Sequence, residues 1–259
     1  MIYGQFYRHS FFGDLVNNMS KSIKELIREE YVKCAKDPIY FFKKYCYIQH
    51  PKRGKILFDL YQFQERVLNE FNDHRYNVIL KSRQLGISTL SAGYSLWMML
   101  FQEDKNILVI ATKQEIAKNL VTKVRYMHDS LPSWLRGETV EDNKLSLRLG
   151  NGSQIKATSA SGDAGRSEAL SMLIIDEAAF IKGIDEIWAA AQSTLSTGGK
   201  AIVLSTPNGV GNFFHKTWLK GENEDGWNPI KLHWTVHPER DKKWRKEQTQ
   251  LLGEKIAAQ

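Results

Sequence analysis

The sequence predicts an α/β protein, with a mainly parallel central sheet flanked by helices and a small helical or lid subdomain attached. Three observations carry this. First, four short apolar runs, NVILK (77–81), NILVIAT (106–112), SMLIID (171–176) and AIVLST (201–206), have the near-continuous hydrophobicity of strands buried on both faces. Second, helical patterns separate them: STLSAGYSLWMMLFQ (88–102), KQEIAKNLVTKVRYMHDSL (113–131) and IDEIWAAAQSTL (184–195). Alternation of strand and helix marks parallel pairing, because a parallel neighbour needs a crossover. Third, 259 residues, 42% of them hydrophobic, can bury a substantial core.

Taken in order, residues 1–19 show no clear period and read as a loosely held arm. Ser22 and Glu25 form a capping box, and Ile23, Leu26, Ile27, Tyr31 and Cys34 follow at helical spacing. Asp37-Pro38 caps and opens a second helix, expected to run through IYFFKKYCYI (39–48). HPKRGK (50–55) is a basic turn, and YQFQERVLNEF (61–71) a third helix. KLSLRLGNGSQIKATS (144–159) alternates on both sides of Gly150-Asn151-Gly152 and reads as a hairpin. A more polar section follows the last apolar run, with one strand candidate, IKLHWTV (230–236), and a charged final helix over 239–259. The expected division is an arm and helical subdomain over 1–58, a core over 59–220 and a lid or linker over 221–259.

Composition narrows the class. No apolar run approaches the roughly 18 residues of a membrane helix, so no membrane contact is expected. The N-terminus lacks the layout of a signal peptide. Two cysteines, Cys34 and Cys46, make neither a disulfide framework nor a zinc set, which fits a reducing interior. The net charge of +7 permits a polyanionic partner without establishing one.

The chemistry centres on LKSRQLGISTL (80–90). The usual phosphate-binding loop is G-x-x-x-x-G-K-[ST], with lysine after the second glycine. Here Ile87 follows Gly86, and Lys81 stands at the first position. The context suits a phosphate: an apolar strand leads in and a helix leads out, so backbone N–H groups and a helix N-terminus would face an anion. Ser88 sits where a Mg²⁺-binding hydroxyl belongs. A plain strand-to-helix turn containing a glycine fits the same residues. Further on, an apolar strand ends in Asp176-Glu177. Two adjacent carboxylates at a strand tip suit a metal-holding aspartate and a water-polarising glutamate, or a solvated acidic turn. AIVLSTPNG ends another strand in Ser205-Thr206-Pro207-Asn208, either sensing groups or a turn. Gln64 has the donor and acceptor that match an adenine edge, or it is a solvated glutamine on a helix.

FQERVL, KSRQLGIST, LIIDEAAF and LSTPNG, in this order and spacing, resemble the ATPase domain of the large terminase subunit of tailed bacteriophages, the motor that packages viral DNA into a procapsid. The resemblance covers roughly residues 38–240. It implies a P-loop NTPase fold of the additional-strand, catalytic-glutamate type, with ATP and Mg²⁺ as cofactors. It also implies hydrolysis coupled to translocation of double-stranded DNA. By resemblance, Gln64 meets adenine. Lys81, Ser82, Arg83, Gln84, Leu85, Gly86, Ile87, Ser88 and Thr89 bind the phosphates, and Ser88 and Asp176 hold Mg²⁺. Glu177 is the catalytic carboxylate, while Ser205, Thr206 and Asn208 couple hydrolysis to movement. The family includes a variant loop whose basic residue stands at its start, which Lys81 fits, and Arg83 belongs to the frequent SRQLG form. An ammonium on a flexible stem at Lys81 can reach the same phosphates from the loop's other end, and Arg83 can add a planar contact.

Arg166, in GDAGRSEALSM, lies where family members place an arginine that reaches a neighbouring subunit's ATP; a surface or DNA-facing arginine is the other reading. The implied partners are the portal protein, the small terminase subunit, DNA, and further copies in a ring of about five. The implied location is the host cytoplasm, transiently at the portal. HPKRGK, RDKKWRK and the lysines of KQEIAKNLVTKVR are candidate DNA-facing patches, or solvated faces. The family's metal-dependent nuclease domain has no counterpart cluster here, so the chain is expected to be the motor domain alone. Two other functions share parts of the pattern: another P-loop translocase or helicase, which needs a second motor domain, and a nucleotide-regulated binding module, favoured by the missing lysine at 87 and opposed by Glu177.

Overall fold

The computed structural model describes residues 22–160 and 169–254. Helix α1 (Ile23–Lys36) starts at the expected capping box: the Ser22 hydroxyl accepts the Glu25 N–H at 3.3 Å, and Glu25 Oε2 accepts the Ser22 N–H at 2.7 Å. Helix α2 (Pro38–Tyr45) is capped by Asp37, whose carboxylate accepts the N–H groups of Ile39 and Tyr40. It ends at Tyr45, not at Ile48 as the helical period suggested. Cys46 turns the chain extended, and Tyr47–His50 becomes strand β1, paired antiparallel with β2 (Gly54–Leu57). The basic turn is the tip of this hairpin, and Gly54 at φ +65° closes it.

The remaining elements are α3 (Gln62–Asp73), β3 (Tyr76–Lys81), α4 (Ile87–Phe101), β4 (Asn106–Ala111), α5 (Gln114–Asp129), β5 (Thr139–Asn143), β6 (Ser146–Leu149), β7 (Gln154–Ser159), β8 (Met172–Asp176), α6 (Ile184–Thr194), β9 (Lys200–Ser205), α7 (Phe213–Glu222), β10 (Asn228–Leu232) and α8 (Lys242–Leu252). Single 3₁₀ turns at Ala178–Phe180 and Trp234–Val236 follow β8 and β10. The main sheet has the order β10-β3-β9-β8-β4-β7-β6-β5. Neighbours from β10 to β7 run parallel, and β6 and β5 run antiparallel to their neighbours. The four apolar runs therefore form the sheet's middle, and the predicted hairpin is β6-β7. Strand β9 lies between β3 and β8, so the strand that carries the loop and the strand that carries the carboxylates are separated by the one that ends in Ser205.

Two ends differ from expectation. IKLHWTV is a strand only to Leu232. The Ser82 N–H donates to Leu232 O at 2.9 Å, and beyond that point β3 turns away and leaves no partner to extend the ladder. The last helix begins at Lys242, where Asp241 accepts the Trp244 N–H at 2.7 Å, and closes at Gly253, φ +76°. Strand β5, TVEDN, was not foreseen: all its residues are exposed, so it carries no buried face to read. β10 comes from the segment expected as lid or linker.

The sheet is covered on both faces. One apolar layer joins α2, α3, α4 and α5 through Phe42, Phe71, Leu90, Met99 and Val124; the other joins α6 and α7 through Ile187, Ala191 and Phe214. Helix α4, which leaves the phosphate-loop segment, is buried along nearly its whole length. Gly93 makes this possible, since a Cβ there would lie 2.4 Å from the Phe42 ring.

Helices α1 and α2 are tied by Glu30, whose carboxylate accepts from Lys44 Nζ at 2.6 Å and from the Tyr40 and Tyr45 hydroxyls, each at 2.8 Å. Burial pulls its pKa up, but the bonds from Lys44, Tyr45 and Tyr40 outweigh that and hold it at about 2. A depressed carboxylate stabilises the fold above its unfolded pKa, and that stabilisation is lost as pH falls from about 4.5 towards 2. Glu30→Gln is expected to cost about 1–2 kcal/mol at pH 7, discounted for the group's nearness to solvent. The difference from wild type should shrink steadily below pH 4.5 in chemical denaturation; a difference independent of pH would contradict this.

Candidate functional site

All the parallel strands of the sheet's middle end at one edge, as ligand sites in open α/β sheets require. Register places Leu80 beside Ser205 and Leu204 beside Asp176, so the tips of β3, β9 and β8 are level. An open cleft of about 630 Å³ lies there, lined by Lys81, Arg83, Gln84, Ser88, Thr112, Glu177, Phe180 and Thr206.

The loop between β3 and α4 turns on two left-handed residues, Gln84 (φ +57°) and Gly86 (φ +75°). Glu177 is the third such residue at the cleft (φ +56°). A non-glycine residue held there signals a backbone fixed by its surroundings. The fixing groups of the loop are visible. Gln64 Nε2 donates to Leu85 O at 3.0 Å, while Gln64 Oε1 accepts the Tyr61 N–H at 3.0 Å. Gln64, expected at an adenine edge, thus stands behind the loop and braces it.

Lys81 is 7% exposed, and its Nζ lies 3.2 Å from Glu177 Oε1. Thr206 Oγ1 donates to Glu177 Oε2 at 3.4 Å, so both carboxylate oxygens have a partner. Asp176 is buried and accepts the Glu177 N–H at 2.9 Å. Burial raises its pKa, and the Lys81 charge and a hydrogen bond with Ser88 oppose the rise. A buried aspartate beside a hydroxyl is a donor set that would suit a Mg²⁺ ion, with Asp176 and Ser88 as its holders. Among the described residues, no cluster of three or more His, Cys, Asp or Glu side chains offers another metal site.

Ser205 and Asn208 stand one layer back. Ser205 Oγ accepts the Ala179 N–H at 3.1 Å, and Asn208 Nδ2 donates to Ala179 O at 3.0 Å. The STPNG segment thus grips the turn that follows Glu177. Leu85 and Ile87 point into the core at 2% and 1% exposure, so only their backbone can face the cleft, and the Ser82 N–H is taken by Leu232 O on β10. Thr89 lines a neighbouring cavity with Tyr47, Thr122, Lys123 and Tyr126. Burial lowers the Lys123 pKa, against the pull of Asp176. Arg166 lies outside the described residues.

Sequence reasoning missed Thr112, Phe180 and Arg240. Thr112 ends an apolar strand as Ser205 does, so the strand-tip rule could have found it. Arg240 reaches the loop from far along the chain and left no local signal. No described helix is long and apolar enough to cross a membrane.

This is a phosphate-loop α/β fold with an aspartate–glutamate pair at the strand tip and an added strand between loop strand and carboxylate strand. Residues 78–256 match the family described as terminase large subunit, T4likevirus-type, N-terminal, and the chain belongs to that family. The fold is similar to the large terminase ATPase domain of Thermus phage P74-26, at 21% identity over 74% of this chain and 90% of that one, TM-score 0.59. It is also similar to the HK97 bacteriophage large terminase (19% identity, 86% of this chain and 47% of that one, TM-score 0.63). A third similar structure is the large terminase of a thermophilic bacteriophage in complex with ADP (14% identity, 76% and 52%, TM-score 0.60). The chain thus spans about half the length of the HK97 protein and of this third one.

A Cβ at Gly86 would meet Gln64 Nε2 at 2.7 Å and would hold an L-residue in a left-handed conformation costing about 1–2 kcal/mol. Gly86→Ala is expected to weaken binding of an ATP analogue at least tenfold while lowering the melting temperature by only a few degrees. Unchanged binding in an equilibrium titration would show that this loop does not hold the nucleotide.

Proposed function

We propose that the chain is the ATP-hydrolysing motor domain of a large terminase, coupling ATP hydrolysis to translocation of double-stranded DNA into a procapsid. The observation that carries this is the meeting of Lys81, Ser88, Glu177 and Thr206 at one cleft, from three level strand tips and a helix N-terminus, with Asp176 buried directly beneath Glu177.

The residues take these roles. The loop's inward N–H groups and the start of α4 receive the phosphates. Lys81 supplies the charge that Ile87 cannot, and Arg83 adds a second cation. Gln64 retains one amide hydrogen and one carbonyl lone pair for the adenine edge while it braces the loop. Ser88 and Asp176 would hold Mg²⁺, which would supply positive charge towards the phosphates. Glu177 accepts a proton from the water whose oxygen attacks the γ-phosphorus, and the bond to the β,γ-bridging oxygen breaks, giving ADP and inorganic phosphate. While Lys81 holds Glu177 at 3.2 Å, that carboxylate is engaged. A phosphate that draws the ammonium away frees it to take the proton. Ser205, Thr206 and Asn208 then pass changes at Glu177 and Ala179 to the segment beyond β9.

The same proposal extends to the assembly. Copies of the chain form a ring of about five subunits at the portal, with the portal protein and the small terminase subunit as partners, in the host cytoplasm. The proposed division is an N-terminal arm and helical subdomain (1–58), the ATPase core (59–220) and a C-terminal lid or linker segment (221–259) that lends β10 to the core sheet.

Steady-state phosphate release, with and without duplex DNA, tests this. Lys81→Ala is expected to lower turnover at least a hundredfold while the fold is retained by circular dichroism, and Glu177→Gln to abolish turnover while nucleotide still binds. Retained turnover in Lys81→Ala would sink the assignment. Arg166 is proposed to act on a neighbour's nucleotide, where a trans arginine is worth about 10³–10⁵ in rate. Mixing Arg166→Ala with Glu177→Gln protein should recover activity in mixed rings, and no recovery at any ratio would place Arg166 elsewhere.

A further inference from the structure

A loop that turns its N–H groups towards an anion must turn its carbonyls the other way, and those carbonyls need donors. Three consecutive carbonyls of the loop, those of Arg83, Gln84 and Leu85, meet donors on protein side chains. Gln64 takes Leu85 O. The other two are taken by Arg240: its Nη1 donates to Arg83 O at 3.0 Å and its Nη2 to Gln84 O at 2.9 Å. The second of these bonds falls on the residue held at φ +57°.

Arg240 is itself held. Its guanidinium lies 4.6 Å from the Trp244 ring on the first turn of α8, and Trp244 packs on Trp234, with ring centroids 5.9 Å apart. Three residues before Arg240, the His237 ring packs on Tyr61 at 4.7 Å. Tyr61 is the residue whose N–H Gln64 accepts. The segment from His237 to Trp244 therefore reaches the loop by two routes, directly through Arg240 and indirectly through Tyr61 and Gln64. The face of Trp244 turned to Arg240 is covered by the guanidinium.

We propose that Arg240 is a positioning residue that sets the phosphate loop in its anion-receiving shape and ties that shape to the segment leading into α8. It acts through the carbonyls of Arg83 and Gln84, and its fork geometry lets one side chain hold two acceptors at once. Linkage is reciprocal: if the segment holds the loop ready for nucleotide, nucleotide holds the segment. The tie makes residues 237–244 a route by which the state of the site reaches the C-terminal part of the chain.

The inference rests on the proposed nucleotide site, and the test separates the two. A fluorescent ATP analogue with Mg²⁺ is titrated into the whole chain, wild type, Arg240→Ala and Arg240→Lys, with amide hydrogen exchange followed over 233–252. Arg240→Ala is expected to raise Kd roughly tenfold or more, as loss of two charge-assisted bonds implies, with turnover at saturation within about threefold of wild type. Millimolar guanidinium ion should restore part of the affinity to Arg240→Ala and none to wild type. Arg240→Lys, which keeps the charge and loses the fork, should stay weak. It also carries the test if the alanine variant is poorly folded. In wild type, nucleotide should slow exchange at the start of α8, and in the variants it should not. Equal Kd in wild type and both variants, or a loss confined to turnover at saturation, overturns the role given to Arg240 and leaves the site standing. No binding by wild type overturns both.

Discussion

A nearly buried ammonium group must face an anion, because an uncompensated charge taken out of water is strongly destabilising. At the tip of β3 that ammonium is Lys81, and the anion is the Glu177 carboxylate from the tip of β8. The two strands are not neighbours; β9 lies between them. The ion pair therefore spans three strand tips and fixes where the cleft must be. It also explains why a loop lacking the usual lysine keeps its charge. The cation stands at the end of a buried strand, where packing sets its direction, and its flexible stem covers the distance that a lysine on α4 would otherwise cover.

The same pair brings two opposed needs together. Lys81 and Glu177 satisfy each other, yet in the proposed reaction each acts on the nucleotide. Asp176 is buried beside them, and desolvation raises its pKa against the opposing Lys81 charge. Such a site is costly by itself and is relieved by a bound cation and phosphate, as expected of a centre built for binding rather than for stability. Around it the backbone is held rather than relaxed. Gln84 and Glu177 stay left-handed because Arg240 bonds the carbonyl of one, and Asp176 accepts the N–H of the other.

Much of this was legible in the sequence for physical reasons. Strands buried on both faces must be apolar throughout, so β3, β4, β8 and β9 announced themselves. The loop, the carboxylate pair and STPNG sit at strand ends, so their order along the chain predicted their meeting in space. Ser22, Asp37 and the Gly150–Gly152 turn act on immediate neighbours, and local chemistry gave their elements away. What failed was structure without a local mark. Tyr47 and Ile48 continued the helical period of α2 and were drawn into a hairpin by pairing with Ile56 and Leu57. β5 is exposed along its length and has no pattern to read. Gln64 was read for an adenine contact alone, and its bracing of Leu85 O went unseen because that depends on how α3 lies against the loop. Arg240 looked like one more charge in a basic stretch.

The most direct measurement is a structure of the wild-type chain with a non-hydrolysable ATP analogue and Mg²⁺. Lys81 Nζ should leave Glu177 and come within hydrogen-bonding distance of the β- or γ-phosphate oxygens, with Glu177 turned to a water in line with the γ-phosphorus. Lys81 still paired with Glu177 while another cation alone covers the phosphates would contradict the central claim.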